Sequence, residues 1–468
     1  MLTAAPVNER NGNSHCLRLV AHADHQLTIE TLGSSTMFNR LNDRSPVIVA
    51  GCRTPFLRSG TDFQDLLAYD LARMALKGLV DWANLPVENI EHVIFGCVLN
   101  EPRTSNVARE ALIGANLPQK IPAHTISMAC ISGGQAISNG AGLIACGQAD
   151  VVIAGGTECL SDIPILLRRP LRRKLMQLRR LKSPLAWARW IAGLRPCHFL
   201  PEIPEISEFS NNLTMGQSSD RLSARWGVSR EEQDHYALRS HILAARATKE
   251  GLFADEILST PLPPRFKPLI SDNGIRGDTT LDRLSKLPPA FYFPFGTATA
   301  GNSSFLTDGG AAVLLMSYRK AKELGYEPAA RIVGFSFHGC DPCDELLLGP
   351  AYTIPKVLGA TGISLASVSV FEFHEAFAGQ VLSNLRALDS EDFAREKLGI
   401  ASKVGEIDIE RLNTRGGSLS IGHPFGATGI RLLLSCSSRL RQENASFGLI
   451  ASCAAGGLGH AMLLERLS

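Results

Sequence analysis

One order of elements runs through this chain twice, and no other feature constrains its fold as strongly. In the first half an apolar strand at 47–50 leads to a helix around 66–80, a strand at 92–95 and a strand ending at Cys130; a helix of small residues at 131–146 and a strand at 151–154 follow. In the second half a strand at 330–337 leads to a helix around 352–358, a strand at 368–373 and a strand-like run ending near His423; a helix at 427–439 and a strand at 447–452 follow. Strand-length apolar runs alternating with longer helical stretches are the pattern of an α/β fold. A duplicated order implies two halves packed as a pseudo-symmetric pair, since the period is far too long for a solenoid. Cys130 and His423 then occupy equivalent strand-to-helix turns. Ligands in open α/β sheets bind at the carboxyl ends of strands, so the meeting of these two turns predicts an active site.

At roughly 150 residues per domain, 468 residues suffice for two or three domain-sized units. The repeat divides them into an N-terminal half at 45–160 and 296–325, an insertion at 161–295 and a C-terminal half at 326–468. Residues 1–44 read as a disordered extension. Their first 36 positions are polar and carry Glu9, Asp24 and Glu30, which suits neither a secretory signal nor a transit peptide, and Met37 offers a later start. A net charge of +2 gives no reason to expect a nucleic-acid partner. No apolar run of about 18 residues is present, so no transmembrane helix is expected. Eleven cysteines without regular spacing read as reduced thiols in a cytoplasmic compartment. Cys340 and Cys343 form a lone C-x-x-C with no second pair at zinc spacing, so they read as loop thiols and no metal is expected.

Four segments carry chemistry. Cys130-Ile131-Ser132 opens the helix of small residues, where a helix dipole favours a thiolate and predicts a low thiol pKa; a small buried cysteine is the plainer reading. Gly422-His423-Pro424 sits among glycines, and its proline suits a first helical turn. Histidine is a base that works near neutral pH and could take a thiol proton. Cys453-Ala454-Ala455 ends a strand before Gly456 and Gly457, so its thiol could act as acid and base and its turn could offer N–H groups to an oxyanion. His374-Glu375-Ala376-Phe377 ends another strand, and a histidine there could donate to an enolate. A polar loop containing Asn302 and Ser304 could touch a pantetheine arm, or be only a turn.

Taken together and in order, these segments resemble the thiolase family over roughly residues 45–467. The resemblance implies a thiolase-like α/β fold: two pseudo-symmetric βαβαβ halves in a layered αβαβα arrangement, with an inserted loop domain. It implies a 3-ketoacyl-CoA thiolase acting in fatty-acid β-oxidation through an acyl-cysteine, with Cys130, His423, Cys453 and His374 catalytic. Contacts to coenzyme A fall to Ser304, Asn302, Ala376 and Phe377. Coenzyme A is a substrate, and no tightly bound cofactor is implied. Most members carry Asn at the position of His374 and Gly at that of Ala455. Both departures are similar to the thiolase subunit of the β-oxidation trifunctional complex, as are 207–210, 215–216, 237–240, 346–350 and 453–462. That subfamily implies a homodimeric core and a hydratase/dehydrogenase α-subunit as partner. A ketoacyl synthase-like condensing enzyme would resemble a Cys-His-His site, against which Cys453 speaks; a non-catalytic acyl-CoA-binding subunit is countered by all four residues standing together.

The insertion carries one further signal. From 163 to 201 there is no acidic residue but a dense set of arginines and lysines. Leu171, Leu175 and Leu178 fall at helical spacing, Pro184 breaks the pattern, and Trp187 and Trp190 follow. A basic amphipathic helix at the inner membrane and a solvated loop packed on the core or on a partner subunit both remain open.

Overall fold

Runs of aliphatic and β-branched residues set a long sheet at the centre of the molecule. The computed structural model describes residues 40–99, 101–202 and 207–467, together with the backbone of two short paired strands, Leu19–Ala21 and Leu27–Ile29. Most of the expected extension therefore lies outside the described residues; at its end Arg44 pairs with Asp150.

The first half comprises β1 (Pro46–Arg53), α1 (Ala68–Trp82), β2 (His92–Gly96), α2 (Val107–Gly114), β3 (Ala123–Ile126), α3 (Ser132–Ala145) and β4 (Val151–Glu158). The insertion contributes α4 (Arg169–Gln177), α5 (Pro184–Ala192), α6 (Met215–Arg225) and α7 (Arg230–Lys249). Then come β5 (Thr307–Ser317), β6 (Ala330–Gly339), α8 (Gly349–Thr361), β7 (Val368–Phe373), α9 (Ala378–Leu388), α10 (Ser418–Ile421), α11 (Thr428–Gln442), β8 (Phe447–Ala454) and β9 (Leu458–Arg466).

Strand order along the sheet is β7-β8-β9-β6-β1-β5-β4-β2-β3. Within each half one antiparallel strand, β5 or β9, lies between the first strand and the parallel set. The halves join where Ala330 and Arg331 of β6 pair with Ile48 and Val47 of β1. Every position of β4 and β5 is buried, as befits strands covered on both faces. Three apolar clusters fill the helical layers. One lies under α1 and α2, one around α3 and α11 at the centre, and one under α8 and α9. This is the αβαβα layering expected.

Three local expectations are corrected. β3 ends at Ile126, four residues short of Cys130. No strand leads to His423. Gly416 and Gly422 adopt φ of +77° and +113°, which strand geometry forbids, and the one-turn α10 lies between them. The insertion is more helical than a loop domain: α7 spans twenty residues behind a Ser229/Glu232 capping box and buries Tyr236, Ala237 and Ser240. In its basic part Pro184 opens α5 as an N1 residue, and Leu178 falls in a 3₁₀ turn.

Candidate active site

Cys130 stands on a tight turn between β3 and α3. Ala129 adopts φ +47°, a left-handed conformation that costs an alanine about 1–2 kcal/mol. Ser132 holds it, accepting from the Met128 N–H at 2.8 Å and donating to the Ala129 carbonyl at 2.7 Å. The turn before α11 approaches from the other half, and glycine makes the approach possible. A Cβ on Gly133 or Gly156 would collide with the Gly426 carbonyl, and one on Gly429 with the Gly134 backbone. Backbone therefore meets backbone where the two halves touch, and Cys130 faces His423 as the repeat predicts.

The two histidines are buried, with His374 0% and His423 4% exposed, and their ring centroids lie 3.9 Å apart. One ring nitrogen from each and the Cys130 sulfur lie within 4.8 Å of one another. The hydrogen-bond network assigns their tautomers oppositely. His423 Nδ1 meets Thr428 Oγ1 at 2.6 Å, and that hydroxyl already donates to the Pro424 carbonyl at 3.0 Å. His423 Nδ1 is thus the donor, and its Nε2 keeps a lone pair. His374 Nδ1 meets Ser418 Oγ at 2.9 Å, and Arg431 Nη2 donates to the same oxygen at 3.4 Å. Ser418 then gives its proton to His374, whose Nε2 carries the hydrogen. Neither Nε2 has a partner within the protein. Burial, reinforced by Arg431, pushes His423 down to about 3. Burial, then His423 and Arg431, hold His374 well below the ordinary imidazole range. Both rings are neutral near pH 7.

The low thiol pKa expected for Cys130 is corrected. Burial pushes its thiol up to about 12, and Glu158 and Glu208 add to this, against donation from the Ala455 and Cys130 N–H groups. Loss of water outweighs the helix dipole, so Cys130 rests as a thiol and needs a base to become a nucleophile. Cys453, 1% exposed at the end of β8, is raised well above the thiol range by burial and then by Cys130. It holds its proton. The turn beyond it is fixed from the insertion: Glu208 accepts from the Gly456 N–H at 2.7 Å.

Several supporting residues were not anticipated from sequence. Glu375 accepts from Tyr236 (3.0 Å), Ser240 (2.8 Å), Asn413 (2.6 Å) and the Leu419 N–H (3.2 Å), locking the His374 loop to α7 and α10. Glu158 accepts from the N–H groups of Val98, Leu99 and Gly426, joining the β2 and His423 loops, and its burial raises it to about 7. Arg431 is wholly buried 3.6 Å from Glu372. A charge inside the apolar stretch Ile430–Leu434 was the available signal for Arg431; Glu158 and Glu208 gave none.

The loop bearing Ser304 pairs with the His374 loop. The Ser304 N–H donates to the Ala376 carbonyl at 2.9 Å, and the Ala378 N–H to the Asn302 carbonyl at 3.0 Å. The Asn302 amide is spent on Asp234 and the Thr297 carbonyl, so this side chain shapes the loop, while Ser304 stays half-buried. Ala376 and Phe377 are 9% and 7% exposed. Beside Ser303 a cavity is lined by Arg58, Arg276 and Arg283 against a single carboxylate, Asp278, a charge balance that sequence reading also missed.

Comparison with known proteins shows the family. The family described as "Thiolase, N-terminal domain" matches residues 46–319, and "Thiolase, C-terminal domain" matches 326–466. The trifunctional enzyme subunit beta of Bos taurus is 51% identical over 91% of this chain and 89% of its own length. The 3-ketoacyl-CoA thiolase of Yersinia pestis is 41% identical over 92% and 98%. The crystal structure of human mitochondrial 3-ketoacyl-CoA thiolase in complex with CoA superposes with a TM-score of 0.78 at 31% identity, covering 91% of this chain and 99% of that one.

Proposed function

The chain belongs to the thiolase family, and from that premise we propose how its own residues carry the reaction. It is an acyltransferase that performs the thiolytic step of fatty-acid β-oxidation, with coenzyme A as a substrate. His423 Nε2 takes the Cys130 proton, and the thiolate attacks the 3-keto carbon of 3-ketoacyl-CoA. The carbon–carbon bond breaks to leave an acyl–Cys130 thioester and the enolate of acetyl-CoA, and the Cys453 thiol protonates the enolate carbon. Cys453 then deprotonates coenzyme A, whose thiolate takes the acyl group and frees Cys130. The acyl oxyanion lies against the Cys130 and Ala455 N–H groups, where one such donor is worth about 10²–10³ in rate. The observation that carries this reading is the convergence of Cys130, His374 and His423 with both Nε2 atoms unpartnered. A thiolysis assay across 3-ketoacyl-CoA chain lengths tests it; no cleavage of any chain length would refute it.

His374 Nε2–H holds the enolate oxygen in this scheme. An asparagine can supply the same donor. His374→Asn is therefore expected to stay within about tenfold of the parent, and His374→Ala to lose about 10²–10³ in kcat. Equal losses in the two variants would assign His374 another role.

The Ser304 loop, Ala376 and Phe377 receive the pantetheine arm, and Arg58, Arg276 and Arg283 supply charge for the phosphates of coenzyme A. The partners we propose are a second copy of this chain and a hydratase/dehydrogenase α-subunit. Among the described residues no helix is long and apolar enough to cross a membrane. The basic part of the insertion nevertheless exposes Ile165 (61%), Met176 (79%), Leu185 (61%), Ile191 (58%) and Trp187 (43%) beside its arginines. This supports peripheral contact with the cytoplasmic face of an anionic membrane. Co-sedimentation with anionic liposomes should fall as salt rises. Replacing Arg172, Arg173, Arg179 and Arg180 with Gln should abolish it and leave thiolysis of a soluble short substrate intact. No binding at low salt would leave this surface to the partner subunit.

A further inference from the structure

Two buried ring nitrogens that the fold leaves without partners lie on the histidines beside the nucleophile. His374 Nε2 and His423 Nε2 are buried and make no hydrogen bond, and one ring nitrogen of each ring lies with the Cys130 sulfur in a set within 4.8 Å. Both imidazoles are held by their Nδ1 atoms, to Ser418 and Thr428, which leaves each Nε2 free for a ligand. We propose that Cys130, His374 and His423 form a binding site for a thiophilic divalent cation, zinc above all, and that the bound ion blocks acylation.

The chemistry of the donors selects the ion. One thiolate and two imidazoles suit zinc, while magnesium and calcium require oxygen ligands and find none here. Zinc holds sulfur at about 2.3 Å and nitrogen at about 2.0–2.1 Å in a tetrahedron, which sets its ligands about 3.5 Å apart. The three atoms, within 4.8 Å of one another, need close by at most about 1.3 Å. Three protein ligands leave the fourth position open to water. Binding breaks the Cys130 S–H bond, forms Zn–S and releases the proton to solvent, with no change of oxidation state. His374 must present a lone pair at Nε2, so its proton shifts to Nδ1. Ser418 then accepts there instead of donating, which a hydroxyl does by rotating. The bound ion would occupy both the nucleophile and the lone pair of its base. An asparagine at 374 supplies no imidazole, so the third ligand belongs to chains that, like this one, carry histidine. The proposal rests on these three side chains alone and stands apart from the assignment of substrate.

Cobalt(II) is the probe, because thiolate ligation gives it a near-ultraviolet charge-transfer band. One equivalent is expected to bind the full chain with that band, and zinc to displace it. Zinc should also protect Cys130 from iodoacetamide, read by mass spectrometry of the parent protein. His374→Asn should weaken cobalt binding at least 100-fold while still forming the acyl-enzyme, and Cys130→Ala should remove the band. Among the described residues the exposed thiols Cys146, Cys197 and Cys343 are the competing sites, and replacing all three with Ser should change nothing. A band that persists in Cys130→Ala, that disappears in the triple-Ser variant, or that is as strong in His374→Asn as in the parent would overturn the site. Failure of zinc to protect Cys130 would overturn it even if a variant did not fold.

Discussion

Cys130→Ala is expected to lower thiolysis by about 10⁴-fold or more, the scale on which enzymes lose activity when a covalent nucleophile is removed. Cys453 is not expected to substitute. It is buried and keeps its proton, which suits the proton-transfer role proposed for it rather than attack on the ketone. The fold should survive, because alanine suits the turn before α3 and the strained Ala129 is still held by Ser132. Mass spectrometry after a single turnover checks the assignment. The parent should carry the acyl mass on the peptide bearing Cys130, and the variant nowhere. An acyl group found on another cysteine would sink the mechanism.

Cys453→Ala is expected to cost about 10²–10⁴ in kcat, the range of one positioned acid–base group. The signature differs from that of Cys130→Ala. With the thiol gone, the enolate waits for solvent to protonate it and coenzyme A must lose its proton unaided, but Cys130 can still be acylated. Rapid quench should find acyl–Cys130 accumulating where the parent shows turnover. A variant with no acyl-enzyme and full loss of activity would instead make Cys453 part of the acylation step itself.

These expectations rest on a division between what local chemistry reveals and what only folding assembles. Cys130 at a helix start, His423 between glycines and Cys453 at a strand end were legible because each depends on residues within a few positions of itself. The duplication was legible because hydrophobic periodicity survives in each half. Even there the reading failed where glycine changed the backbone: the run before His423 looks like a strand, but Gly416 and Gly422 turn it into loop and a single helical turn.

By itself the sequence determined the α/β class and the two halves and singled out the four side chains proposed to react, because spacing and residue type carry that information directly. The tertiary structure alone decided how those side chains behave. Enclosure, which no motif encodes, turned the expected low-pKa Cys130 into a resting thiol and made both histidines neutral. Opposite tautomers came from Thr428 on one side and from Ser418 with Arg431 on the other. Glu158 reaches Gly426 across 268 positions, and Glu208 reaches Gly456 across 248. A carboxylate that far along the chain has no local pattern, and only the folded chain brings it to its N–H partner.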